Sequence, residues 1–285
     1  FGPKVAGVVE HDNVIHQPTA NAVNMYGMAN GLPLDDPDSG CDPNFPFKDR
    51  DPRFYHDIVF DGFQYIHGAA GDREAYVYCQ LYTGGNMRPV ANGSRTGYFI
   101  QKLVPHTCNV IDRDYDWGAA VHVYLPYMRL ADVYLMYAEA AAAKDAGFSR
   151  SNKSSKCSLT SEDAINKVRA RCGAGEVHAK FTGTAYMDEI RRERAVELMF
   201  EGHRFSDLQR WLLLTEAPYT IKTSQEFDRV QADDWFKTND PRNAQVANFR
   251  EEVILERVFG TKHYWFPLPD SEVYLYADFP QNPGW

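Results

Sequence analysis

Between Glu189 and Trp211 the sequence reads EIRRERAVELMFEGHRFSDLQRW, and no helix built from it has a face free of charge. Glu193, Glu197 and Glu201 fall four residues apart, while Arg192, Arg194, Arg204 and Arg210 are threaded among Leu198, Met199, Phe200, Phe205 and Leu208. The five acidic residues from Glu189 to Asp207 are matched by five arginines, so the net charge of the segment is zero. A fold that uses this segment must therefore bury ions in pairs, because an isolated charge is too costly to take out of water. Arg194–Glu197, Glu201–Arg204 and Asp207–Arg210 are each three residues apart, a spacing that lets side chains meet on a helix. Arginine suits the task because its planar fork holds two oxygens at once.

Two functional readings compete with an ionic truss. A catalytic carboxylate pair needs separated proton affinities and an open cleft, yet each carboxylate here has an arginine in reach that keeps it ionised. A carboxylate-bridged metal calls for Glu-x-x-His on a bundle helix, whereas Glu201-Gly202-His203 places the two groups on different sides. The expectation is a structural network of Arg194, Glu197, Glu201, Arg204, Asp207 and Arg210, with Glu197 and Glu201 mostly buried and paired to arginine.

Around this segment the chain changes character twice. Residues 1–126 are rich in turn residues, as in NGLPLDDPDSGCDPNFPFKDRDPRF, and form a loop-rich lobe. Strand-like runs occur in FYHDIVFDGFQYI, AYVYCQLY and VHVYL (121–125). From Tyr127 the apolar residues Leu130, Val133, Tyr134, Tyr137 and Ala138 recur at helical spacing, and Gly147 closes the run. Thr160 to Asp163 is a capping signal for a second helix through Ala164, Ile165 and Val168 that stops at Gly173. A third helix is expected from Tyr186 to Leu214. These elements make up a region 127–214, and an irregular segment 215–285 follows with one helical piece near 243–256. The pair 127–145 and 161–172 has the size of a tetratricopeptide hairpin. Its apolar stripe (Leu130, Val133, Tyr137, Ile165, Val168) is wider than the third helix can cover. The fold class is thus mainly α, with tetratricopeptide-like hairpins packed against an irregular lobe that carries a few short strands.

The chain has 285 residues and a net charge of −9, which disfavours a phosphate backbone as partner. It has no run of eighteen apolar residues. It opens without a basic start, an apolar signal core or an initiator Met, which fits a mature or truncated chain. None of the five cysteines forms a C-x-x-C pair; free thiols are expected, and a Cys157–Cys172 bridge is compatible with export. Asp36-x-Asp38-x-Gly40 is a fragment of a calcium loop, but the closing Glu is absent, so a solvated turn is the better reading. His122, His203 and His263 are isolated. The residues call for neither metal nor cofactor.

The segment 189–211 resembles the signature of SusD/RagB-type outer-membrane nutrient-binding lipoproteins of Bacteroidetes-like bacteria. PTANAVNMYGMANGLPLDDPDSGCDPNFPFKDRDPRFY, TGYFIQKLV, YMRLADVYLMYAEAAA with AINKVRARCG, and the terminal QNPGW resemble further parts of that family in the right order. The resemblance covers about residues 18–285. It implies a non-catalytic subunit that binds an oligosaccharide or peptide on the extracellular face of the outer membrane. Such a protein is held by an N-terminal lipid and acts as a lid on a SusC-like TonB-dependent transporter. Family members are nearly twice this length, so the resemblance also implies an N-terminal half, with signal peptide and lipid-bearing Cys, outside this sequence.

The family's ligand sites vary, so candidate ligand residues come from chemistry. A glycan needs aromatic platforms and planar polar groups, and recognition favours loops. Stretch 60–118 offers Phe63, Tyr65, Tyr76, Tyr82, Arg88, Asn92, Tyr115 and Trp117, with DRDYDWG (112–118) the sharpest cluster. The expected ligand-binding set is Tyr65, Tyr82, Arg88, Tyr115 and Trp117. Tyr76 and Tyr78 alternate with Val77, so one of them should face the core. Two rival functions stand beside glycan uptake. A glycoside hydrolase would need two carboxylates roughly 5–10 Å apart. A tetratricopeptide adaptor would need about three repeats.

Overall fold

The computed structural model of the chain describes residues 17–68, 70–89, 93–103, 126–275 and 278–285. Its helical part is built on helix α3 (Leu130–Ala142) and helix α4 (Ser161–Cys172). Alanine-rich α3 turns Leu135, Ala138 and Ala142 toward Ala164, Ile165 and Val168 of α4, a dry seam of small and branched side chains. The start of α4 is fixed by a capping box in which Thr160 and Asp163 satisfy each other's backbone N–H groups. Its end is fixed by Gly173, whose φ of 75° is open to glycine at little cost. Ser161 ties the two helices together by donating to the Ala138 carbonyl at 2.6 Å. Helix α5 (Thr184–Glu197) lays Tyr186, Met187 and Ile190 on this pair. Leu130, Val133 and Met136 point away from the seam and are exposed.

The long helix expected over 186–214 is two helices. After α5 the chain turns through Phe200 (φ 65°) and Gly202 (φ 86°), and α6 runs only from His203 to Arg210. Charge spacing alone does not reveal this break, because the charges keep their spacing while the backbone at Phe200 and Gly202 adopts left-handed angles.

The helical piece expected near 243–256 is a strand. Strand β4 (Val246–Glu256) pairs antiparallel with β3 (Ile221–Arg229). Val246, Phe249 and Val253 fit a helical spacing, but β3 supplies a ladder from a separate part of the sequence, from Arg229–Val246 to Ile221–Glu256, and that partner decides the outcome. The segment read as irregular thus carries a two-stranded sheet. Conversely, FYHDIVFDGFQYI begins as helix α2 (Pro52–Asp57), capped by Asp51, whose carboxylate accepts from the Arg53 N–H at 2.9 Å. Only Ile58–Val59 (β1) is strand, paired with Phe99–Ile100 (β2) in the TGYFIQKLV segment. AYVYCQLY contributes a single bridge, Gln64 to Tyr78. Residues 121–125 lie outside the described residues.

The lobe and the C-terminal strands share one core. Short helix α1 (Ala20–Val23), Phe47, Phe54, Phe60 and Tyr98 pack with Phe227 of β3, Val246 of β4 and Val196 of α5. A second cluster under the lobe gathers Val59, Ile66, Cys79, Leu81, Met87 and Phe99. Tyr76 rests half-buried on that cluster, and Tyr78 lies 6.2 Å from the Phe236 ring. Cys157 and Cys172 are both free thiols, so no bridge joins them. The molecule is mainly α with a few short strands.

Candidate ligand-binding site and the ion network beneath it

Helix α5 presents Glu189, Glu193 and Glu197 on one buried face. Their partners come from elsewhere in the fold. Glu189 accepts from Arg169 at 3.0 Å and Arg192 at 2.6 Å. Glu193 accepts from Arg53 of α2 and from Arg169 of α4 at 2.9 Å. Glu197 accepts from Arg53 at 3.1 Å, Arg129 at 2.8 Å and Arg171 at 2.8 Å. Glu201 accepts from Arg129 at 2.7 Å and Lys102 at 2.8 Å. The network therefore fastens the lobe (Arg53, Lys102) to the helical pair (Arg129, Arg169, Arg171) through α5.

Two of the three pairs expected from spacing do not form. Arg194 turns to Asp132 and Asp207, each at 2.9 Å, and Glu197 faces the opposite way, toward α4 and the lobe. Arg204 makes no ion pair among the described residues. The break at 198–202 sends its guanidinium to the Tyr219 ring, 5.4 Å from the ring centre, and leaves Glu201 to Arg129 and Lys102. Asp207–Arg210 does pair, at 2.9 Å, and Arg210 also holds Glu139 at 2.6 Å. Sequence reasoning missed Arg53, Lys102, Arg129, Arg169 and Arg171, since no short-range spacing links them to α5.

Burial alone would raise the Glu193 carboxyl, but Arg53 and Arg169 outweigh it and bring it down to about 2. Glu201 is likewise lowered, with burial opposed by hydrogen bonds from Arg129 and Lys102. Neither group can serve as a proton donor near neutrality.

The network forms one wall of a cleft of about 490 Å³, also lined by His56, Asp57, Leu103, Pro126 and Cys172. Leu103 and Pro126 are the last described residues on either side of segment 104–125. Arg171 is well exposed there and can offer N–H groups to a ligand. A second cleft of about 480 Å³ lies between Asn24, Pro33, Pro43, Phe249 and Glu251.

Of the expected ligand residues, Tyr65 is half-buried against the cluster around Val59 and Phe99. Tyr82 is also half-buried, with the Arg229 guanidinium 4.7 Å from its ring centre, and Arg229 is fixed in turn by Asp61 at 2.7 Å. Arg88 spends its donors on the carbonyls of Leu81 and Gln225, at 3.1 and 2.9 Å, and on the Glu226 carboxylate. As placed, Tyr82 and Arg88 stiffen the lobe. Asn92, Tyr115 and Trp117 lie outside the described residues, as does His122. Asp36 and Asp38 receive the Lys180 ammonium, at 2.5 and 2.8 Å. His263 takes the Gly260 N–H at 2.8 Å. Among the described residues no group of three His, Cys, Asp or Glu side chains is placed to hold a metal ion. No helix among them is long and apolar enough to cross a membrane.

Solved structures with this fold come from Bacteroides fragilis. One is described as a SusD-like protein, 24% identical, with a TM-score of 0.67 over 94% of this chain and 46% of that one. Another is described as a SusD-like carbohydrate binding protein, 21% identical, with a TM-score of 0.59 over 92% of this chain and 48% of that one. The chain therefore spans about half the length of the structures it matches. No curated protein matches it significantly. The sequence model of the SusD family matches residues 12–285, almost the whole chain, and the protein belongs to that family.

Proposed function

We propose that this chain is part of a cell-surface protein that binds oligosaccharide without cleaving it and passes it to a SusC-like TonB-dependent transporter in the outer membrane. The observation that carries this reading is the SusD family match over residues 12–285. One structural relative is described as carbohydrate binding. The geometry supports the absence of bond chemistry: Glu197 and Glu201, the glutamates lining the cleft beside the ion network, are committed to arginine and lysine. A glycosidase needs one carboxyl raised to act as an acid, and Glu201 is shifted the other way. Binding falls to aromatic side chains on the lobe. Tyr115 and Trp117 are the first stacking candidates and Tyr65 the next, while the Tyr82 ring already carries the Arg229 guanidinium. A lipid anchor on the extracellular face is part of the same proposal.

The test is a panel of oligosaccharides and peptides offered to the full-length protein, with product analysis and with its partners purified from the native membrane. Oligosaccharide binding without new reducing ends, together with a co-purifying barrel transporter, is the expected result. Release of shorter sugars would assign a hydrolase instead. Binding of peptides alone would replace the ligand class.

A further inference from the structure

Tyr219 collects positive charge from three elements. Arg204 of α6 sets its guanidinium 5.4 Å from the Tyr219 ring centre. Lys222 of β3 donates from Nζ to the Tyr219 carbonyl at 3.1 Å. Arg257, one residue past β4, donates its backbone N–H to the Thr220 carbonyl at 2.9 Å, which brings it beside the same turn. Among the described residues none of the three forms an ion pair with a carboxylate. Asp207 and Glu201, each three residues from Arg204, are held by Arg194 with Arg210 and by Arg129 with Lys102. Glu216 accepts from its neighbour Thr215 at 3.3 Å. Arg204 Nη1 is buried and has no hydrogen-bond partner among the described residues.

This arrangement is costly as it stands. The buried Nη1 of Arg204 has given up water without gaining an acceptor among the described residues. Burial, then Arg257 and Arg204, depress the Lys222 ammonium, so the three charges are felt as neighbours. Glu216 and Glu256 border the same turn, yet among the described residues neither forms an ion pair with any of the three cations. Cations that converge without a counter-charge favour an incoming anion, and arginine's fork matches a planar carboxylate. The half-buried Tyr219 ring adds an apolar flank of the kind that sits against a sugar.

We propose that Arg204, Lys222 and Arg257 form a binding site for the carboxylate of a uronic-acid residue in an oligosaccharide. The carrier of the carboxylate rests on the glycan-binding reading above; the anion site rests on the geometry. The site would give the protein a preference for acidic over neutral glycans.

Titration calorimetry at low salt on the full-length protein tests it with three probes: a galacturonic-acid trimer, its methyl ester and a galactose trimer. The acidic trimer should bind more tightly than its ester. The pair Arg204→Gln and Lys222→Gln should weaken the acidic trimer by roughly tenfold or more and leave the galactose trimer unchanged. Arg257→Gln, at an exposed position, should weaken the acidic trimer as well, and keeps the test open if the double variant fails to fold. Equal affinity for acid and ester, or an acidic trimer indifferent to all three substitutions, would overturn the site. A protein that binds neutral trimers but not the acidic one refutes this inference alone. If no oligosaccharide of any kind binds, the glycan-binding reading fails with it. Competition by inorganic sulfate without uronate binding would also overturn the assignment, since the anion site would then serve another carrier.

Discussion

Removing Glu193 should damage the fold far more than removing Glu197, although the two are one helical turn apart and equally buried. Glu193 faces Arg53 and Arg169, whose side chains are 8% and 2% exposed. With the carboxylate gone, both guanidinium groups lose an acceptor that water cannot replace. Breaking a buried pair by deleting one partner costs about 3–5 kcal/mol. The Glu193 carboxyl is lowered to about 2, in the direction expected where Arg53 and Arg169 favour its charged form over the cost of burial. Glu197 instead faces Arg129 and Arg171, which are 27% and 59% exposed and can turn to solvent. Its third partner, Arg53, keeps Asp51 and Glu193. We therefore expect Glu193→Ala to cost about 3–5 kcal/mol and Glu197→Ala about 1–2 kcal/mol. Urea unfolding of the full-length protein, followed by tryptophan fluorescence and circular dichroism, measures both. Midpoints that shift equally for the two variants would show that partner exposure does not set the cost. A Glu193→Ala protein as stable as the wild type would refute the truss itself.

Further consequences can be measured. The Glu193 carboxyl is lowered on folding, so its stabilisation is full above about 4.5 and is lost as pH falls toward about 2; Glu193→Gln should flatten the acid limb of a stability profile in that window, and an unchanged limb would assign acid unfolding to other groups. Ala at both Tyr115 and Trp117 should weaken oligosaccharide binding by about 1–2 kcal/mol; an unchanged affinity would move the site away from segment 112–118. Tyr82→Ala should lower the melting temperature, because it removes the ring beneath Arg229, whereas a loss of glycan affinity alone would make Tyr82 a ligand contact. Residues 1–285 expressed by themselves should bind a hydrophobic dye at the exposed Leu130, Val133 and Met136, and Val133→Ser with Met136→Ser should reduce the signal; a cooperatively melting monomer that ignores the dye would show that this face needs no cover.

What the sequence determined by itself was local or a matter of charge count. The ends of α4 were written in Thr160, Asp163 and Gly173, because caps act over three or four residues. The small-residue seam of α3 was legible from Ala138 and its neighbours for the same reason. Balanced charge from Glu189 to Arg210 announced an ionic network, and five motifs in order pointed to the SusD family. The tertiary structure decided the pairing. Glu197 had Arg194 three residues away and took Arg129 and Arg171 instead, because helix orientation and the break at Phe200 set which groups face each other. Val246–Glu256 became a strand because β3, distant in sequence, offered hydrogen-bond partners that no local pattern encodes. Tyr82 and Arg88, chosen for their chemistry, were taken up by Arg229, Glu226 and two backbone carbonyls. Residue type tells what a side chain can bind, but contacts across the fold settle what it does bind, since each polar group has few bonds to give and its neighbours in space claim them first.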